Sequence, residues 1–165
     1  MSGHMTWGVV AVAAAVCGWA FATSQQPPAA KAAPDAKAEL MDADRAFAKA
    51  AAEKGIDGWM SFMADDAVRV QPLGGNATVG KAAVRELDAA MFKDPKQKLL
   101  WEPTDGGAFA DGKHGFTTGR SRSVLVTDKG EEVRWTGAYV TWWRKGDDGK
   151  WKVILDTGAA DPPKK

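Results

Sequence analysis

Cysteine is almost absent from this sequence of 165 residues, and its one copy is Cys17, near the N-terminus. The rest of the chain can therefore form no internal disulfide and has no thiolate ligand for a structural metal ion. Histidine is nearly as scarce, because His114 is the only one beyond the first 22 residues. We expect neither a metal nor another cofactor from this composition.

An excess of charge of one sign is also lacking. The chain has 22 Lys and Arg against 21 Asp and Glu, which gives a net charge of +1. Proteins that hold the nucleic-acid backbone by counterion release need a basic surplus. We therefore expect no nucleic-acid partner, and the length predicts one domain with its own core.

Long apolar runs are missing except near the N-terminus. Residues 9–16 read VVAVAAAV, and Ala20-Phe21-Ala22 then fits the small-residue pattern that signal peptidase cleaves. We predict a signal peptide over 1–22 and a periplasmic or secreted protein, with an uncleaved anchor or a lipid on Cys17 as lesser alternatives. Residues 23–35 are rich in Pro, Ala and Gln, which predicts a flexible linker, and the domain itself is expected over 36–163.

Tryptophan, by contrast, is abundant, with eight copies, four of them at 135, 142, 143 and 151. Two runs of strand-forming residues there flank a Gly-Asp-Asp-Gly sequence at 146–149, which predicts a terminal β-hairpin. Both faces of the first run are mostly apolar or neutral. We therefore expect helices against one face of this strand and a cavity, or a second subunit, against the other.

The remaining elements follow from periodicity. Apolar residues at helical spacing between Leu40 and Ala51 predict a first helix, a second short one starts near Asp57, and a third follows Gly80. A strand is predicted at 67–71 and others at about 98–104, 114–126, 132–145 and 150–157, with a turn at the Asp-Gly-Gly of 105–107. Helices first and antiparallel strands later indicate an α+β domain.

Three segments resemble a known family. They are ADDAVRVQPLG at 64–74, HGFTTGR at 114–120 and GKWKVILDTGAADPP at 149–163. Together they are similar to the SnoaL-like branch of the nuclear-transport-factor-2-like superfamily, and especially to a group known only as a domain of unknown function. The resemblance implies a cone-shaped barrel with cystatin-like topology, in which a curved, mostly antiparallel sheet wraps around three N-terminal helices. It also implies an open-ended pocket and often a homodimer through the sheet.

This family contains isomerases, dehydratases and epoxide hydrolases as well as non-catalytic binding modules, so the fold alone does not give an activity. In ketosteroid-isomerase-like members, an Asp base precedes a Pro and a Tyr on the first helix donates to the oxyanion. The corresponding residues here are Gln71 and Phe47, which can do neither. The stretch from Val133 to Arg144 also has no carboxyl group, so we do not expect this isomerase chemistry.

Other chemistry needs other residues. The Asp-Arg-Asp arrangement of epoxide-hydrolase-like members is replaced by Arg120-Ser121-Arg122. A dehydratase needs a His-Asp pair, for which His114 and Asp156 are the candidates, and Tyr139 is an alternative partner for Asp156. These three are the candidate catalytic residues of a lyase, hydratase or isomerase.

Candidate ligand-binding residues come from the likeness to pocket positions of the family. If Gln71 points inward, strand alternation places Arg69 beside it, and a buried guanidinium needs a partner, either a carboxylate such as Asp156 or an anionic ligand. Trp59 and Trp101 suit either the core or a flat ligand. Arg120 either extends this positive lining or lies on a solvated face.

Our leading hypothesis from the sequence is an exported pocket protein that binds a small, partly aromatic or anionic ligand. An enzyme and a dimerisation module are the alternatives.

Overall fold

The computed structural model describes residues 34–71 and 75–162. The predicted signal peptide and all but the last two residues of the predicted linker lie outside this part of the chain. None of the helices in the described part is both long enough and apolar enough to cross a membrane.

Three α-helices and six β-strands make up the domain. The helices are α1 (Pro34–Lys54), α2 (Ile56–Phe62) and α3 (Lys81–Asp88), and α3 continues into a 3-10 turn at Ala89–Phe92. The strands are β1 (Met63–Arg69), β2 (Thr78–Val79), β3 (Gln97–Ala108), β4 (His114–Thr127), β5 (Gly130–Lys145) and β6 (Trp151–Ala160). The predicted order of two helices, a strand, a helix and a meander is confirmed, with the short β2 added.

The strands form one sheet in the order β2-β1-β6-β5-β4-β3. Only β1 and β6 pair in parallel, so the sheet is mostly antiparallel, and the two outer strands leave it open. Irregularities interrupt the pairing of β5 on both sides, next to Val124 in β4 and next to Trp143 in β5 itself. Such bulges bend strands and increase their twist. The predicted α+β fold, with three helices and a mostly antiparallel sheet, is confirmed.

Aromatic side chains fill the space between the helices and the sheet. Phe47 of α1 is 1% exposed. Its ring centroid lies 4.7 Å from that of Trp59, 4.9 Å from that of Trp101 and 6.0 Å from that of Trp143. Burial of a side chain this large contributes about 1.5–3 kcal/mol to stability. The buried face of α1 that the apolar spacing predicted thus contacts α2, β3 and β5 through the ring of Phe47.

One turn predicted from the sequence is wrong. The Asp-Gly-Gly at 105–107 does not end a strand but lies within β3. A Cβ atom on Gly106 would lie 2.7 Å from the backbone oxygen of Phe116 and 3.4 Å from the sulfur of Met41. The glycine therefore allows α1 and β4 to approach β3 closely, which is another reason for glycine within a strand.

The prediction for the two faces of β5 was also partly wrong. Trp135, Tyr139 and Thr141 share one face with Trp143, whose indole is packed against Phe47 of α1. The pocket described below opens on this same face, not on the opposite one as predicted, because the helices cover only part of it. Trp142 points away from the helices and is 44% exposed.

Candidate ligand pocket and its buried charges

A pocket lies between the indole of Trp59 in α2 and the inner face of the sheet. It is lined by Trp59, Arg69, Leu99, Trp101, Ser121, Trp135, Tyr139, Thr141, Asp156, Thr157 and Gly158. The centre of a water molecule can move through about 40 Å³ of it. At about 10–15 Å³ for each water, this space holds roughly three molecules. The pocket therefore fits a small chemical group.

Arg69, at the end of β1, supplies the positive charge of the pocket and is 5% exposed. Its Nε lies 3.3 Å from Oδ2 of Asp88, and its Nη1 lies 3.1 Å from Oδ1 of Asp156. Nη1 also donates to the backbone oxygen of Val70 at 2.7 Å, and the guanidinium carbon lies 5.7 Å from the centroid of the Trp59 ring. The sequence allowed either a protein carboxylate or an anionic ligand as the partner of Arg69, and two protein carboxylates take this place.

Asp88 and Asp156 are held by further donors. The indole nitrogen of Trp59 donates to Oδ2 of Asp88 at 3.0 Å, and the hydroxyl of Thr141 donates to Oδ2 of Asp156 at 2.7 Å. The sequence reasoning missed Asp88. Its signal was helical spacing, because Asp88 follows the fully buried Val84 by four residues and so lies on the same face of α3.

A third buried carboxyl, Asp44 of α1, stands behind the pocket wall and, like Asp88, was missed. Its carboxyl accepts from the indole of Trp101 at 2.7 Å and from the hydroxyl of Tyr139 at 2.8 Å. Thr117 donates to it too, and accepts in turn from the indole nitrogen of Trp143 at 2.8 Å. Asp44 lies between Leu40 and Phe47 on the buried face of α1, so an acid at that spacing was the available signal.

Burial dominates the protonation of these acids. It raises the pKa of Asp156 to about 6, although the attraction of Arg69 and the hydrogen bond from Thr141 act in the opposite direction. Burial likewise raises the pKa of Asp44 and of Asp88 above the ordinary range, and it raises that of the Tyr139 phenol. Asp156 can therefore take up or release a proton under mild conditions at the pocket wall, while the hydroxyl proton of Tyr139 is directed at Asp44.

Two of the three candidate catalytic residues are brought together. Tyr139 and Asp156 both line the pocket. His114 lies on the opposite face of the sheet, at the start of β4, where its Nδ1 is 2.6 Å from Oδ2 of Asp111. The structure therefore does not bring His114 to Asp156, which is the pair that the dehydratase hypothesis requires.

Three of the five candidate ligand-binding residues lie at the pocket and two do not. Trp59, Trp101 and Arg69 line the pocket. Gln71 was expected to point inward beside Arg69, but β1 ends at Arg69 and Gln71 is exposed. Arg120 is exposed on the outer face of the sheet, where it forms an ion pair with Asp161. Neither Gln71 nor Arg120 is among the residues that line this pocket.

Metal binding has no support in residues 34–71 and 75–162. No group of three or more His, Cys, Asp or Glu side chains there is placed to hold a metal ion. The acids of the pocket are instead bound to a guanidinium, indoles and hydroxyls.

Comparison with known proteins identifies the family. A model of the SnoaL-like domain matches residues 44–154, which include Asp44, Arg69 and Asp88. The chain belongs to the SnoaL-like domain family. The resemblance to the nuclear-transport-factor-2-like superfamily inferred from the sequence is thereby confirmed. No curated protein matches the sequence significantly.

Solved structures share this SnoaL-like fold at low identity. A ketosteroid isomerase-like protein from Erwinia carotovora is 18% identical, with 79% of this chain and 100% of that chain covered and a TM-score of 0.64. An NTF2-like protein with a cystatin-like fold from Novosphingobium aromaticivorans is 14% identical over 77% and 82% of the two chains, with a TM-score of 0.62. A protein of unknown function from Mycobacterium tuberculosis is 19% identical over 76% and 72%, with a TM-score of 0.61. At these identities the likeness establishes the fold alone.

The raised pKa of Asp156 predicts that the folded protein loses stability as pH rises. The folded state holds the Asp156 proton more tightly than the unfolded state, so the contribution is complete below the ordinary value of 3.8 and is lost as pH passes about 6. The free energy of unfolding should fall by about 3 kcal/mol from this group between about pH 4 and about pH 7. Denaturant unfolding of the wild type and of Asp156→Asn across that range measures it, because the variant lacks this part of the decline.

Asp66→Asn is the matched control. Asp66 is an exposed carboxylate whose pKa is lowered by its hydrogen bond to Arg144, so its contribution changes only below about pH 4. It should leave the decline between about pH 4 and about pH 7 as in the wild type. An equal decline in the wild type and in Asp156→Asn would contradict the assignment.

Proposed function

We propose that this chain is an exported protein that binds a small, partly aromatic molecule in the pocket between Trp59 and the inner face of the sheet. The observation that carries this proposal is an aromatic-walled cavity on which a few buried polar groups converge. Concave sites of that composition are the usual sites of small-molecule binding. Membership of the SnoaL-like family also supports a small-molecule-binding domain.

The walls of the pocket are held in place by their own hydrogen bonds. Trp59 and Trp101 direct their indole nitrogens away to Asp88 and Asp44, so each ring is fixed in orientation. Buried indoles normally find such a partner, and the ring is then free to meet an apolar surface. A pocket with fixed walls loses little conformational entropy when a ligand enters.

Trp135 supplies a further aromatic wall of the pocket. It is half-buried and lies in β5 opposite Ser123, next to the irregularity in the pairing of β4 and β5. Arg69, Asp156 and this indole line the same pocket, so a ligand whose polar group lies at the two charged residues can place its ring against Trp135. The small volume of the pocket and the position of Trp135 in its wall together favour a ligand with one small head group and one ring.

Removal of the Trp135 indole should weaken ligand binding. Compounds that raise the melting temperature of the wild type in a screen of small aromatic molecules should bind Trp135→Ala about tenfold or more weakly, since a buried aromatic contact of this kind contributes at least about 1.4 kcal/mol. Titration calorimetry on each hit measures the change. Trp142→Ala is the control, because Trp142 lies on the same strand but faces away from the pocket. Hits that bind both variants as they bind the wild type would exclude this pocket as their site.

Export is the part of the proposal that depends on the leader. When the full sequence is expressed in a bacterial host, the mature protein should be recovered from the periplasm with Thr23 as its first residue, because Ala20 and Ala22 suit signal peptidase. Mass spectrometry of the fractions identifies this end. Ala22→Leu should retain the precursor mass, and an uncut wild-type chain in the membrane fraction would instead favour an anchor.

A specific feature of the outer sheet face favours a second role as a homodimer. Trp142 is 44% exposed and Phe109 is 39% exposed, and their rings lie 5.8 Å apart. Phe116 extends this group, with its ring 6.4 Å from that of Phe109. Clusters of exposed aromatic side chains on the surface of a folded protein are typical of association surfaces. We propose that two copies of the chain bury this cluster against each other.

A charge placed in this cluster should separate the dimer. Trp142→Lys should shift the mass in analytical ultracentrifugation from dimer to monomer, because burial of an unpaired ammonium in an apolar interface is unfavourable. Val79→Lys is the control, since Val79 is an apolar residue 65% exposed on β2, at the opposite edge of the sheet. A wild-type mass that stays monomeric over the whole concentration range would refute the dimer.

A further inference from the structure

The charge of the ligand can be inferred from the charges that the pocket already holds. Within residues 36–71 and 75–162, the buried charged side chains are Arg69, Asp44, Asp88 and Asp156. One guanidinium thus stands against three carboxyl groups. An anionic ligand would increase this imbalance, whereas a cation would reduce it.

Arg69 does not make the pocket a site for anions. Its guanidinium is already bound by Asp88 and by Asp156, and it also donates to the backbone oxygen of Val70. A guanidinium placed between two carboxylates attracts a further anion only weakly, because each neighbouring negative charge repels that anion. The anionic ligand that the sequence allowed is therefore not what this geometry favours.

The aromatic walls suit a positive charge. The rings of Trp59 and Trp101 stand at 83° to each other with centroids 5.7 Å apart, and so form a corner. The Arg69 guanidinium already lies against one of these rings, 5.7 Å from the centre of Trp59. Indole faces attract cations, and aromatic corners are used to bind ammonium groups. Trp101 and Trp135 supply further indole surface along the pocket.

Asp156 provides the negative group that a cation would meet. It lines the pocket, and its two oxygens each have one partner, Arg69 at 3.1 Å and Thr141 at 2.7 Å. A carboxylate oxygen can accept two hydrogen bonds, so capacity remains for a donor from a ligand. An ammonium on a short methylene arm also matches the small volume of the pocket.

We propose that the ligand of this pocket is a small organic cation whose ammonium group binds Asp156 and whose apolar part lies against Trp101 and Trp135. This inference rests on the proposed function and adds the sign of the charge to it. It also gives Asp156 a second role beside its contacts with Arg69 and Thr141.

Three probes that share one ring and differ in charge test the inference. Benzylammonium, benzyl alcohol and benzoate carry a positive, a neutral and a negative group on the same ring. Titration calorimetry of the full chain near pH 7.5, where Asp156 is ionised, should show benzylammonium binding about tenfold more tightly than benzyl alcohol and benzoate binding weakest. Because this comparison uses the wild type alone, it does not depend on whether a variant folds.

A pair of variants then locates the preference. Asp156→Asn should reduce the ratio of benzylammonium to benzyl alcohol affinity to near one, and the ratio cancels any change in the pocket that affects both probes equally. Asp66→Asn removes the same charge from an exposed site and should leave the ratio as in the wild type.

The outcomes separate the two proposals. Tighter binding of benzyl alcohol or benzoate than of benzylammonium would overturn the inferred charge and leave the pocket function standing. A preference for benzylammonium that survives Asp156→Asn would overturn the assignment to Asp156. If none of the three probes binds, the inferred cation fails, while the pocket function still depends on the separate screen with Trp135→Ala.

Discussion

Arg69 is the one positive charge among the buried side chains of the described structure, and three elements meet at it. It stands at the end of β1, and its guanidinium joins Asp88 at the end of α3 to Asp156 in β6. An unpaired guanidinium in such a place would be strongly unfavourable, so these elements cannot separate without exposing or isolating charge. The parallel pairing of β1 with β6 places Arg69 opposite Asp156 and so supports the contact through the backbone too. The geometry of the pocket wall follows from this one cluster.

The abundance of tryptophan has a related explanation. Three indole nitrogens donate to buried acceptors: Trp59 to Asp88, Trp101 to Asp44 and Trp143 to Thr117. Each of these residues fills core volume and also satisfies a polar group that no water reaches, which a phenylalanine could not do. No buried side-chain nitrogen or oxygen in the described residues lacks a hydrogen-bond partner. The carboxyl groups of this core are therefore tolerated because large donors surround them.

Periodicity predicted the order of the elements, because buried faces repeat along a helix or strand whatever they pack against. It could not reveal which polar residues share a site. Asp44 and Asp88 lie on the buried faces of α1 and α3 and meet partners far along the chain, such as Tyr139 at a separation of 95 residues. Alternation failed at Gln71 because β1 ends two residues earlier, and a strand end depends on its neighbours in the sheet. The family resemblance pointed to Gln71 as a pocket position, whereas the buried acids of this chain are Asp44, Asp88 and Asp156.

The lack of a carboxyl group between Val133 and Arg144 takes on a different meaning in the folded chain. That stretch supplies Tyr139 and Thr141, whose hydroxyls donate to acids that come from α1 and from β6. Strand β5 therefore contributes hydrogen-bond donors, and the carboxyl groups that accept from them belong to α1 and β6, which pack beside it. Because the Tyr139 hydroxyl donates its hydrogen bond to Asp44, the pocket presents the ring of Tyr139 and the carboxyl of Asp156. The proposed recognition of a ligand by its apolar surface and by its charge thus relies on residues that also hold the core together.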